Sequence, residues 1–149
     1  MRVPLVRRLH RHGDHVGVRH PRGSLDGLVA PMKAAEIFIA GKLMNVANNR
    51  EHWRTRHEYT RLWRNKVGVS SLRMRFWIPA HPKRVTMAAN VWNLYDSHDG
   101  LRGALKPVVD GLVDAGVLHS DAPSCGHEFV YAQEINRRQL GVLISVEVL

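Results

Sequence analysis

Between Leu101 and Val113 the apolar residues fall three and four apart, at Leu101, Leu105, Val108, Val109, Leu112 and Val113, the spacing that lines one face of a helix. Pro107 lacks an amide hydrogen and is comfortable in a first turn but not in a helix interior. The pattern therefore predicts a helix proper from Leu105 or Lys106 to Ala115, with Leu101 to Ala104 as a preceding turn and Gly116 as its terminator. A second helix is predicted over Arg50 to Lys66, a stretch without glycine or proline in which Trp53, Thr60, Trp63 and Val67 share one side. Asn48 or Asn49 is placed to cap it. Elsewhere the period drops to two. Leu72, Met74, Phe76 and Ile78 alternate with Arg73, Arg75 and Trp77, which predicts a half-buried strand over Ser71 to Ile78. Further strands are predicted over Ala35 to Met44, Arg84 to Leu94, Glu128 to Gln133 and Gly141 to Leu149, with Asn136 to Gln139 as a turn.

The first 31 residues follow neither period. Met1 to Pro31 hold six arginines and four histidines against two acids, with glycines and prolines scattered throughout. They read as a disordered basic arm, or as sequence upstream of a true start at Met32, and residues 32–149 as one domain. The arm lacks the continuous apolar core of a secretory signal. No apolar run approaches the roughly 20 residues of a membrane span. The single cysteine, Cys125, excludes an intrachain disulfide and a multi-cysteine zinc cage, and favours a reducing, cytoplasmic setting.

Charge sharpens the picture. A formal net charge of +9 and a pI near 10.6 suit a polyanionic partner, nucleic acid before an anionic membrane. The helix over Arg50 to Lys66 concentrates this charge in Arg50, Arg54, Arg56, Arg61, Arg64 and Lys66, against Glu51 and Glu58. Its arginines read as a surface that tracks phosphates, and its tryptophans as core packing or as part of that surface.

The acids are gathered elsewhere. Five of the chain's 13 acidic residues lie between Asp96 and Asp121. Magnesium-assisted phosphodiester hydrolysis needs two or three carboxylates converging from different elements, because the ion keeps several waters. Asp99 before the predicted helix and Asp121 after it answer that need. The helix between them is about 16 Å long, so the loops must fold back or a second chain must contribute. Asp110, four residues after Lys106, is placed for an intrahelical ion pair or for orienting that lysine. Asp114 reads as a solvated helix residue, and His98 and His119 as loop histidines or candidate general bases.

The strings Asp99-Gly100-Leu101, Lys106-Pro107, Asp110-Gly111-Leu112, Asp114-Ala115-Gly116-Val117-Leu118 and Ser120-Asp121 resemble the signature of the RusA family of Holliday junction resolvases, phage and actinobacterial members above all. Upstream, Asn48-Asn49-Arg50-Glu51-His52-Trp53 and Leu62-Trp63-Arg64 are similar to that family's Asn-x-Arg-x-His-Trp and Trp-Arg helix. The resemblance covers about Ala35 to Leu149. It implies an α+β fold, a small mixed β-sheet packed with two main helices, and a homodimer that nicks four-way DNA junctions with Mg2+. On matching positions Asp99 and Asp121 become metal ligands and Lys106 the essential lysine, with Asp110 behind it. Arg50, His52, Arg54, Arg56, Arg61 and Arg64 become the DNA-binding set.

Three positions depart from the family pattern. Ser97 stands where relatives have an acid, Gly100 replaces an asparagine, and Ser120 replaces the first acid of the closing pair. Asp96, one place before Ser97, either completes a set of Asp96, Asp99 and Asp121 or leaves two ligands. In the second case the site binds magnesium more weakly and the enzyme is slow or inactive, and the alternative function is that of a non-catalytic junction- or nucleic-acid-binding protein with a degenerate metal site.

Overall fold

The computed structural model describes residues 33–44, 53–75, 81–96 and 99–149. The reading of Met1 to Pro31, and the candidates Arg50, His52, Ser97 and His98, lie outside them. Within them the order is β1 (Lys33–Ala40), α1 (Trp53–Ser70), α2 (Leu72–Arg75), β2 (Lys83–Val91), α3 (Gly100–Asp114), a short 3-10 turn (Pro123–Cys125), β3 (Glu128–Ile135) and β4 (Gly141–Val148). The strands form one mixed sheet in the order β1-β4-β2-β3. β4 runs antiparallel to both β1 and β2, while β2 and β3 are parallel. A parallel pair of consecutive strands needs a long crossover, and α3 supplies it. The fold is the α+β class expected, a small mixed sheet packed with two main helices.

Alternation decides which face of the sheet is covered. Val85, Met87, Ala89 and Val91 of β2 and Val142, Ile144 and Val146 of β4 join one core with Trp63 and Val67 of α1 and Leu105, Val108 and Leu112 of α3. The intervening residues of β2 are only half-buried, and Leu143 on β4 is exposed. The helices therefore lie on one face, leaving the other uncovered by any described element.

Two expectations need correction. The strand predicted over Ser71 to Ile78 is, as far as described, the short helix α2. Ser71 donates its N–H to the Val67 carbonyl at 2.8 Å and accepts from Met74 N–H at 3.0 Å, so the chain leaves α1 by winding on. Met74 is buried and Leu72 exposed, so these two alternating positions do not share a face. The second correction concerns α3, which runs unbroken from Gly100 with Pro107 inside it. Leu101 N–H reaches the Asp96 carbonyl at 3.0 Å and Gly103 N–H the Asp99 carbonyl at 2.9 Å, so Leu101 to Ala104 form true helical turns. The residue four before Pro107 is Gly103, and with no side chain it gives the backbone more room to adjust to the proline ring. Burial of Leu101, Ala104, Leu105 and Pro107 offsets the missing hydrogen bond.

Three contacts fix α3 against the rest. Tyr59 of α1 accepts the Met44 N–H at 3.1 Å and donates its hydroxyl to the Ala104 carbonyl at 3.2 Å. Its burial pushes the phenol pKa up to about 12, so the hydroxyl remains a donor throughout the neutral range. Gly111 meets Val67 so closely that an added Cβ would lie 2.6 Å from the Val67 Cβ. Beside it, Arg64 grips Asp114 with two hydrogen bonds of 2.8 Å each.

Candidate functional site

α3 carries the candidate chemistry on its outer stripe. Asp99, Gly103, Lys106, Asp110 and Asp114 recur three and four apart, so they share one side of the helix, while the buried stripe faces the core. The Lys106 ammonium lies 2.8 Å from Asp110 Oδ1 and 2.5 Å from Asp121 Oδ2. Asp121 reaches it because the chain turns back after α3: Gly116 adopts a positive φ of 72°, and Val117 and Leu118 N–H both bond the Leu112 carbonyl. Buried Val117 and Leu118 then anchor the loop that presents Ser120 and Asp121.

The electrostatics follow from this geometry. Partial burial works against the charge on Lys106, but the hydrogen bonds that it donates to Asp110 and Asp121 outweigh it and raise its pKa. The reciprocal bond to Lys106 holds the Asp121 carboxyl below its ordinary range. Lys106 and Asp121 both stand largely open to solvent, so the pair remains accessible to an incoming phosphate.

Asp99 occupies the position before the first turn of α3 and makes no capping hydrogen bond with its side chain. It is exposed and stands two turns from Lys106 on the same stripe, about 10 Å along the axis. Further upstream, Tyr95 is pinned to β3: its N–H donates to Gln133 Oε1 and Gln133 Nε2 donates to its carbonyl, both at 2.9 Å. The Tyr95 hydroxyl donates to the Leu43 carbonyl at 2.6 Å. Asp96 closes this segment and bonds the first turn of α3 through its carbonyl.

Among the described residues no three His, Cys, Asp or Glu side chains gather as a metal-holding group. What converges is a pair, Asp110 and Asp121, on the Lys106 cation. These are hard oxygen donors on an open surface, the kind that a magnesium ion keeping several waters takes. Asp99 offers the same donor chemistry, about two turns away from Lys106 along α3.

The predicted DNA-binding arginines divide. Arg54 and Arg61 are exposed on α1, seven residues apart and so on one side of it, and Arg56 is exposed as well. Arg54 stacks over the Trp53 ring at 5.5 Å. Arg64 is instead committed to Asp114, which is the exposed helix residue expected and carries this surface ion pair as well. The tryptophans, read as core packing or as part of that surface, divide as well, since Trp63 is buried but Trp53 is 65% exposed. Sequence spacing missed the Arg64–Asp114 pair because its partners lie on different helices.

His119 is exposed in the loop after α3, and its charge bears on His127. Nδ1 of His127 accepts the Lys83 N–H at 3.1 Å, leaving the proton on Nε2, which is buried without a partner. Burial, then the charges of Lys83 and His119, lower the His127 pKa. Above about pH 6.5, the ordinary histidine value, the ring is neutral in both folded and unfolded chains. As pH falls through that value the unfolded chain takes up the proton first, and stability is lost down to the lower folded pKa. The melting temperature should therefore decline as pH falls below about 6.5, and His127→Gln should flatten that slope. An unchanged slope in the variant would assign the loss to other groups. Asp114 and Asp121 have depressed pKa values, so their contribution disappears only in more acid solution.

No family model matches the chain, and no curated protein matches it. No helix among the described residues is long and apolar enough to cross a membrane.

Proposed function

We propose that the chain is a RusA-like, magnesium-dependent endodeoxyribonuclease. It cuts branched DNA, four-way junctions first, acting as a homodimer in the cytoplasm during recombination, repair or phage DNA processing. The observation that carries this reading is the α3 stripe, where a lysine sits between two carboxylates on an open face of a strongly basic protein. Asp99 and Asp121, with Asp96 as the third carboxylate, are the residues that would hold the ion. When bound, Mg2+ supplies Lewis-acid polarisation of the phosphate and a more acidic water. Lys106 offers a fixed cation to the charge that builds on the phosphate oxygens, and Asp110 keeps its ammonium in place. Arg54, Arg56 and Arg61 contribute exposed positive charge for the DNA backbone.

A second reading is supported by Ser97, by Ser120 and by the gathering of only a carboxylate pair: a junction-binding protein whose metal site has degenerated. Incubation with a synthetic four-way junction and a linear duplex of equal length separates the two. The nuclease should nick the junction with added Mg2+ and leave it intact in chelator. Tight junction binding without nicking at any Mg2+ concentration would establish the second reading. Equal affinity for junction and duplex at fixed salt would remove both.

A further inference from the structure

The ends of all four strands meet at a notch that the proposed chemistry does not use. The turn after β3 closes on the end of β2 through Asn136 N–H to the Val91 carbonyl at 3.1 Å, and Gly41 N–H bonds the Leu140 carbonyl at 3.1 Å. Between them opens a cavity of about 230 Å³, lined by Lys42, Leu43, Trp92, Asn93, Tyr95 and others. Trp92 is its aromatic wall. The Arg137 guanidinium lies over the indole, 5.0 Å from the ring centroid, and its Nε donates to the Trp92 carbonyl at 3.3 Å. One face of the ring is thus covered by a cation, yet 51% of the residue remains exposed.

Trp92 and Leu94 both line the cavity and are 51% and 59% exposed, and a contiguous exposed apolar patch with a polar rim marks an interaction site. Here the flanking charge is positive, from Lys42 and Arg137, with Arg138 in the same turn. The surface therefore suits a planar, electron-rich group attached to an anion. Position narrows the ligand further. Trp92 precedes Asp96 by four residues, and the Tyr95–Gln133 pairing holds the intervening segment to β3. The notch thus lies at the end of the sheet from which α3 and its stripe begin.

We propose that Trp92, braced by Arg137, is a stacking platform for an unpaired nucleobase, with Lys42 and Arg137 taking the adjoining phosphates. Stacking on an aromatic side chain is sequence-tolerant because every base has a π face. In branched DNA such bases arise where strands exchange, so the platform selects branched over continuous duplex. It rests on the nucleic-acid part of the proposed function and is independent of cleavage.

The test measures binding of the full chain, in chelator, to a linear duplex and to a duplex carrying unpaired bases. A fluorescent aminopurine occupies one unpaired position. Trp92→Ala should lose about tenfold in affinity for the unpaired substrate and less than twofold for the duplex, while Trp92→Phe retains most of the preference. Aminopurine fluorescence should be quenched by the unaltered protein and by Trp92→Phe, but not by Trp92→Ala. If Trp92→Ala does not fold, Arg137→Ala, which leaves the indole in place, should weaken the same preference. Equal losses on both substrates would overturn the platform, as would quenching that persists in Trp92→Ala or a variant that alters only self-association. If the protein binds no DNA, platform and proposed function both fail; binding without preference removes the platform alone.

Discussion

Lys106→Ala should lower junction nicking in saturating Mg2+ by about a hundredfold to a thousandfold, the usual cost of removing one preorganised charge-stabilising group. Binding and folding should be almost unchanged. The lysine is exposed, and surface ion pairs contribute little to stability, so the melting temperature should hold. Asp121→Asn should reduce nicking as well, but with a different signature. Removing the carboxylate takes away a proposed ligand and a partner of Lys106, so its loss should ease partly as Mg2+ is raised, whereas the Lys106→Ala loss should not. The two sites are in direct contact, so the double variant should cost less than the product of the single losses. Nicking that survives unchanged in both single variants would place the chemistry elsewhere in the chain.

Gly111→Ala should destabilise the fold by about 1 kcal/mol, a net of overpacking at about 1–3 kcal/mol and the roughly 1 kcal/mol by which alanine favours a helix. The added Cβ would meet Val67 Cβ at 2.6 Å, Val67 Cγ1 at 3.0 Å and the Arg64 carbonyl at 3.1 Å. None of these gives way easily, because Val67 is fully buried and stiff at χ1, and the third is backbone. The helices must part instead. Gly68→Ala is the control, since a Cβ there meets nothing within 4 Å, and it should be neutral or stabilising by up to about 1 kcal/mol. Denaturant unfolding of the two variants measures both signs, and equal behaviour would contradict the tight α1–α3 contact. Because Arg64 and Asp114 clamp the same crossing, Gly111→Ala should also disturb the Lys106 stripe and depress any nicking activity, unlike Gly68→Ala.

Much of this architecture is legible in the chain because it depends on short-range period. The apolar stripe of α3, the alternation of β2 and the turn before β4 are each written within a dozen residues. Where local reading failed, a distant contact was responsible. The pattern from Leu72 onward alternates like a strand, yet Ser71 and Met74 are drawn into the core as the chain winds off α1. Pro107 reads as a helix start, yet apolar burial on both sides of it keeps α3 continuous. Trp53 and Trp63 look alike in sequence, and only their positions relative to the sheet separate an exposed residue from a buried one.

The candidate site divides in the same way. The sequence alone determined that Lys106, Asp110 and Asp114 share a stripe of the helix, whereas Asp99 joins that stripe only because α3 runs unbroken from Gly100 through Pro107. It also determined the excess of positive charge. Only the tertiary structure decided which charges meet. The reversal at Gly116 brings Asp121 to Lys106, α1 lies close enough for Arg64 to take Asp114, and the strand ends frame Trp92 with Arg137. Period is a property of neighbours along the chain, whereas an ion pair or an aromatic contact depends on distances that the packed core alone sets.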